Sequence, residues 1–335
     1  MKLSYVCCCL LPTFSIQCTQ DTELTFPNAP EQLVLNGILH PDSVMRVYLT
    51  KSLPVVDSGN VFSTIEDATV SLYEDDVFLD YLTLDGNSYV MDYYPVAGRR
   101  YTVEVQARGY PIVMASDTIP QPASTAACYK QQDWYIYNPL AIQTTISDRV
   151  SEQNRYWLSL LIDQYELIDF DMWVKCRQNN NYDNNKCPRY DSSSVITTRL
   201  GHMVSYSVLP DIFNSIVDNT SGGVREYNDY IRIDDASING TAFALEFTGS
   251  DPLYDYQELL ELDSNQSLTL QVVSASQAYD RYLKSSIIYY YNNEFFDEPN
   301  PFAEPVKIYS NVQNGTGIFA AYNSVNIEIK DHPCQ

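Results

Sequence analysis

The groups in this 335-residue chain that could do chemistry are few in kind: His40, His202 and His332, eight cysteines, 43 Asp plus Glu, and 28 tyrosines. Nucleophilic hydrolysis by Ser needs a base, usually His, and the sequence has no G-x-S-x-G elbow with which a His could work. The G-x-x-x-x-G-K phosphate cradle and the dinucleotide glycine fingerprint are missing too, which sets nucleotide chemistry aside. Glycosidases need two carboxylates roughly 5–10 Å apart, and Asp169 with Asp171 or Asp234 with Asp235 supply the residue types. Among 43 acidic residues such pairs arise by chance. Asp169 and Asp171 share one strand face flanking Phe170, and read as a solvated face. No catalytic residue and no cofactor is expected.

The cysteines speak of compartment. Setting aside those before residue 19 leaves Cys128, Cys176, Cys187 and Cys334, an even number suited to an exported protein, with three possible pairings. Cys176 with Cys187 is the preferred pair. Arg177 to Lys186 between them is nearly all Asn, Gln, Tyr and Asp, a loop whose unfolded-state entropy a bridge would remove. Cys128 with Cys334 then follows. Zinc needs short paired spacings with His nearby, which these are not. Calcium is the most credible ion, because Asn179 to Asn185 with Asp183 offers hard oxygen ligands, but a polar, disulfide-closed loop explains that stretch without metal.

Composition bounds the partners. Twenty Lys plus Arg against 43 Asp plus Glu give a formal charge of −23, which excludes nucleic acid because phosphate binding needs a basic face. Hydrophobic residues at 45% and charged residues at 19% are the balance of a folded protein. At this length roughly two domains are expected. The abundance of Tyr with only 12 Gly and 3 His describes a β-rich surface protein.

The start of the chain points to a membrane. Lys2, then an apolar run from Leu3 to Ile16 containing Pro12, is too short to span about 30 Å of hydrocarbon and reads as a signal peptide over residues 1–17. Cys18 closes that run and precedes the polar Thr19 to Glu23, an arrangement that resembles a bacterial lipoprotein signal whose Cys becomes the acylated first residue. Gln17 departs from the small residue usual before such a Cys. Gln20, Asp21 and Glu23 resemble the acidic export tag that sends lipoproteins of the Bacteroidota to the outer face of the outer membrane. Asp42-Ser43-Val44 and Asp117-Thr118-Ile119 resemble the O-glycosylation tripeptides of that group.

Residues 18–30 read as a tether. Beyond it the fold expected is mainly β: an N-terminal immunoglobulin-like or transthyretin-like β-sandwich over residues 31–120, then a larger β-rich domain over residues 121–335 with one or two helices. Alternating segments recur at Leu33 to Leu39, Val44 to Thr50, Thr69 to Tyr73, Val77 to Leu84, Ser88 to Met91, Arg100 to Ala107 and Pro111 to Ser116, a small-sandwich count. Tyr101, after the turn Ala97 to Arg100, sits where such sandwiches keep a corner Tyr bonded to backbone. Lys51 to Asp67 is a long loop, and Ile119 to Ser124, with Pro120 and Pro122, is the linker. Later strands are expected at Tyr156 to Ile162, Tyr230 to Ile233, Ala242 to Phe247, Leu268 to Ser274 and Val325 to Ile329. Helices are expected at Leu209 to Val217 and at Gln277 to Tyr290, the second capped by Ser276. Its stripe of Tyr279, Tyr282 and Leu283 reads as packing against a sheet.

Leu33-Val34-Leu35-Asn36-Gly37-Ile38-Leu39 with Pro41 and Asp42, then Val47-Tyr48-Leu49-Thr50-Lys51-Ser52, resemble the opening of an uncharacterised lipoprotein family of Bacteroidota, domain of unknown function 4249. Asp280 to Lys284, Asn300 to Val306, Tyr309 to Val312 and Asn314-Gly315-Thr316-Gly317-Ile318-Phe319 with Ala321-Tyr322 resemble its closing signature, departing at Ala320, where Gly is commoner. The resemblance implies an outer-membrane lipoprotein at the cell surface, in a family often found beside TonB-dependent transporters, and implies no catalytic residue. On the residues alone, Asn314 to Gly317 is a tight turn feeding a buried strand.

The function expected is therefore a non-enzymatic accessory or substrate-capture partner of a TonB-dependent transporter, held to the outer membrane by lipid at Cys18. The other reading is a stand-alone surface module that binds glycans or peptides. Trp134, Tyr135, Tyr289, Tyr290 and Tyr291 are the candidate contact residues, since Tyr and Trp dominate interface hot spots.

Overall fold

The computed structural model describes residues 30–53, 62–131, 140–150, 153–167, 193–199, 203–205, 217–218, 225–226, 231–234, 240–249, 267–294, 306–329 and 332–334. Within them the chain is mostly β. In chain order the first strands are β1 (Leu33–Leu39), β2 (Met45–Lys51), β3 (Thr69–Glu74), β4 (Val77–Asp85), β5 (Ser88–Met91), β6 (Arg100–Gln106) and β7 (Val113–Thr118). Each follows a segment legible from period-two patterning. On β1 and β2, Leu33, Leu35 and Leu39, then Met45, Val47 and Leu49, point into one core while the residues between face outward.

The second part holds β8 (Ser124–Gln131), β9 (Leu140–Ser147), β10 (Arg155–Leu167), β11 (Ser193–Arg199), β12 (Met203–Ser205), β13 (Val217–Asp218), β14 (Arg225–Glu226), β15 (Ile231–Asp234), β16 (Ala242–Gly249), β17 (Ser267–Ala275), the helix α1 (Gln277–Glu294) and β18 (Thr316–Glu328). The sheet β12-β16-β9-β8 faces β15, β10, β17 and β18 across a core of Ile142, Ile146, Tyr156, Leu158, Ile233, Phe243, Leu245, Leu270 and Val272. The opposite face of β10 and β17 turns Trp157, Val273 and Ala275 toward Tyr279, Leu283 and Ile287 of α1. Neither Leu270 nor Val273 could swap faces without a register slip, because strand side chains alternate.

β18 joins the two halves. Its first residues pair parallel with β1, Val34 opposite Thr316 through Leu39 opposite Ala321. Its later residues pair antiparallel with β17, Tyr322 opposite Ala275 through Glu328 opposite Thr269. Phe319 and Ala321 thereby enter the first core while Ile318 and Ala320 face Ala278 of α1. One continuous sheet results, in the order β11-β10-β17-β18-β1-β2-β5-β4-β3-β6-β7. It rolls back on itself where Met114 of β7 and Gln313, just before β18, exchange N–H···O bonds of 3.3 and 2.8 Å. The expected division at residues 120 and 121 is thus crossed by a strand that completes the first sandwich. The last strand, expected at Val325 to Ile329, begins nine residues earlier, at Thr316.

The glycines of the closing segment have a steric reason. Gly317 has φ +110° and lies so close to β1 that a Cβ there would stand 2.1 Å from the Leu35 carbonyl oxygen. At Gly315 a Cβ would stand 2.7 Å from the Leu33 oxygen. Asn314 has φ 59°, a left-handed position that Asn tolerates. The side chain of Asn311 acts as an extra rung, donating to the Phe319 carbonyl at 2.7 Å and accepting the Phe319 N–H at 3.0 Å.

Other expectations resolve as follows. Tyr101 is buried and its hydroxyl accepts the Val96 N–H at 2.8 Å while donating to Glu74 at 2.8 Å, the corner arrangement read from the sequence. Ser276 caps α1, its Oγ accepting the Tyr279 N–H at 3.0 Å. The linker is taut: Ile119 is buried in the first core, Ala123 in the second, and β8 starts at Ser124. Val217, the end of the other expected helix, lies in β13; the rest of that segment, and Pro54 to Gly59 of the long loop, lie outside the described residues. Among the described residues no helix is long and apolar enough to cross a membrane.

Candidate functional site

The outward face of β18, β1 and β2 is the place where a covered core gives way to an open concavity. On β1, Asn36 and Ile38 point away from the first core; on β2, Arg46 and Tyr48 do. Helix α1 packs on the β18 end of this face through Ala278, and its Tyr282 reaches toward β2 across the open part. A groove of about 760 Å³ is left, lined by Asn36, Ile38, Arg46, Tyr48, Tyr94, Tyr282 and Ile318, with Ser43 and Val44 at the turn into β2. That volume is in the range of small-molecule sites. Tyr48 is 41% exposed, Tyr94 56% and Ile38 38%, large apolar surfaces turned to solvent on one side of a sheet.

The polar groups of the groove are held in place. Arg46 Nη1 donates to Ser88 Oγ at 2.7 Å, and Ser88, wholly buried, in turn donates to the Asp85 carbonyl at 3.3 Å. Among the described residues Arg46 has no carboxylate partner. Asn36, which also lines the groove, accepts the Ile318 N–H on Oδ1 at 3.2 Å. Tyrosine rings offer flat apolar faces with a hydroxyl at the rim, and an arginine fork suits a planar anion. Side chains of these types can recognise and hold a ligand.

A buried ionic cluster lies on the far side of the second core. Asp280 of α1, 3% exposed, accepts two bonds from Arg232 at 2.7 and 2.8 Å and one from Trp157 Nε1 at 2.9 Å, with Arg155 at 3.5 Å. Asp234 lies 3.5 Å from Arg232. Among the described residues the cluster holds two guanidinium groups and two carboxylates, and it fastens α1 to β10 and β15. Asp234, one half of an acidic pair singled out above, is used here; Asp235, Asp169 and Asp171 lie outside the described residues.

The remaining candidates are placed unevenly. Cys128 and Cys334 are disulfide-bonded, 206 positions apart. Around the bridge Tyr129 N–H donates to the His332 oxygen and Cys334 N–H to the Tyr129 oxygen, each at 2.9 Å, so the chain end lies along β8. Cys18, Cys176, Cys187, Asp183, Trp134 and Tyr135 lie outside the described residues. Tyr289 is 44% exposed on α1, and Tyr290 and Tyr291 continue the same helix. Tyr289 is not among the described residues that line the groove. In the stripe read from the sequence, Tyr279 stacks on Tyr322 with ring centroids 4.8 Å apart, while Tyr282 reaches the groove. His40 is half-buried beside Tyr322, and burial pulls its imidazole below the usual value. Asp117 is bonded by Ser276, Thr118 and Ala321, while Ser43 and Thr118 are exposed. No group of three or more metal-ligating side chains occurs among the described residues.

The groove residues Asn36, Ile38, Arg46, Tyr48 and Tyr94 were not singled out by sequence reasoning. The signal available was that Ile38 and Tyr48 put large apolar groups on the alternate, nominally wet face of strands whose other face already filled a core.

No curated protein matches the sequence. Two of the solved structures that align with the chain are a membrane-anchored and a surface protein. One, from Corynebacterium diphtheriae and described as a membrane-anchored protein, is 8% identical with a TM-score of 0.19, over 73% of this chain and 54% of that one. The other, the partial N-terminal region of an enterococcal surface protein, is 6% identical with a TM-score of 0.18, over 75% of this chain and 92% of that one. At those scores neither likeness bears on function. The description Domain of unknown function (DUF4249) matches residues 19–328, and the chain belongs to that family.

Proposed function

We propose that the protein is a lipid-anchored, non-catalytic capture protein of the outer-membrane surface that works beside a TonB-dependent transporter and holds a ligand for it in the groove over β1 and β2. The observation that carries the reading is that groove: three tyrosines, an arginine fixed by a buried serine and an asparagine amide, in a volume of about 760 Å³. The anchor is supported by the apolar run ending at Cys18. The test is to extract the full-length protein from outer membranes in mild detergent and identify by mass spectrometry what comes with it, with Cys18→Ala as control. A stoichiometric transporter that disappears in the control is the expected result. A wild-type protein that leaves the outer membrane alone would remove the transporter and leave the stand-alone binding module, which the same groove serves equally well.

A further inference from the structure

We infer that the groove is built for an acidic carbohydrate, a sugar ring carrying a carboxylate, with the anion on Arg46 and the ring against Tyr48, Tyr94 and Tyr282. This deepens the capture reading and rests on it.

Charge is the first argument. The chain carries 43 acidic and 20 basic residues, yet of the ten described residues that line the groove none is acidic and one is Arg46. On a molecule of net charge −23 such a spot is a local inversion of sign, to which an anion is drawn while the surroundings repel it. Arg46 is not a loose surface cation. Its Nη1 is spent on Ser88 Oγ at 2.7 Å, which fixes the guanidinium plane and presents its remaining N–H groups in a fork that a carboxylate fits bidentately.

The floor supplies the second argument, and it separates sugar from peptide. Peptides commonly bind sheets by adding a strand to a free edge. Here β1 is paired on one side with β18 and on the other with β2, and β2 with β5. The groove therefore lies on the face of interior strands and not along a free edge. Recognition is left to side chains: aromatic faces, which stack on the apolar face of a sugar ring, and the Asn36 amide and Ser43 hydroxyl, which suit ring hydroxyls.

The experiment is titration calorimetry on the full-length protein in detergent with three probes: trigalacturonate, neutral maltotriose and hexaglutamate. The expected result is saturable 1:1 binding of trigalacturonate, at least 10-fold tighter than either of the other two. Arg46→Gln should weaken it 10-fold or more with an unchanged melting temperature, Arg46→Lys should weaken it less, and Tyr81→Ala, on the exposed side of β4 outside the groove, should leave it as it was. Equal binding of maltotriose, or indifference to Arg46→Gln, would overturn the acidic class while loss of binding in Tyr48→Ala kept the groove. Preference for hexaglutamate would overturn the carbohydrate. Silence with all three probes would sink this ligand class, whereas the capture reading itself stands or falls on the transporter that co-purifies.

Discussion

The backbone N–H of Ala321 donates to Oδ2 of Asp117 over 2.7 Å, across 204 positions of sequence. The same oxygen takes the hydroxyl hydrogen of Ser276, the residue that caps α1, and Oδ1 takes the Thr118 N–H at 2.9 Å. One carboxyl at the end of β7 thus ties the first sandwich to β18 and to the start of the helix that walls the groove.

Burial raises the Asp117 carboxyl from its usual range to about 6, against the pull of its bonds from Ser276, Thr118 and Ala321. A carboxyl raised in the folded state binds its proton more tightly there than in the unfolded chain, so its contribution is present at low pH and is lost as pH rises from about 4 to about 6. A shift of that size corresponds to about 3 kcal/mol. The urea midpoint of the wild type, taken relative to Asp117→Asn, should fall across that window; a gap that stays constant from pH 4 to 7 would show that Asp117 does not titrate there.

Gly317→Ala should cost about 2 kcal/mol or more. Its φ of +110° disfavours any side chain, and the added Cβ would meet the Leu35 carbonyl at 2.1 Å, so β18 must leave β1. Equilibrium unfolding would show it, and a variant as stable as wild type would refute the close parallel pairing.

Asn311→Ala removes a partner from both the N–H and the carbonyl of Phe319. Leaving such groups unbonded costs about 1–3 kcal/mol, and Asn311→Asp should recover only the bond that accepts the N–H. Hydrogen exchange at Phe319 is the direct readout, and protection unchanged in Asn311→Ala would exclude the rung.

Asp280→Ala leaves Arg232 and Arg155 with Asp234 as their remaining carboxylate among the described residues. Breaking a buried pair by removing one member costs about 3–5 kcal/mol. The melting temperature should drop sharply while binding in the groove, measured below that temperature, persists; loss of binding with an intact fold would give the cluster a role in the site.

Much of the first sandwich was legible because its strands have one wet face. Leu33, Leu35 and Leu39 alternate with Val34, Asn36 and Ile38, and β1 and β5 run over the very residues that this pattern marks. The second half was less legible. β8 and β9 fill no alternation that stands out, and the stretch Thr316 to Ala321, with two glycines, reads locally as a turn. What makes it a strand is β1, nearly 300 residues away, whose Leu33 and Leu35 carbonyls leave room for glycine alone. The groove was hidden for the same reason. Arg46 and Ser88 become a fixed pair only when β2 lies beside β5, and Tyr282 comes to them only because α1 docks on β18.

The placement of β18 also sets a schedule. A chain that is synthesised from its N-terminus delivers β1 to β7 long before Thr316 to Ala321 emerges, so the first sandwich waits with the slot for Phe319 open and one side of β1 unpaired. During that interval the exposed edge is open to wrong partners. For the lipid-anchored protein proposed above, passage across a membrane would need a chaperone or an unfolded state lasting until nearly the whole chain is through. The first-made domain is finished last, and any truncation that removes the final strand would leave both halves incomplete.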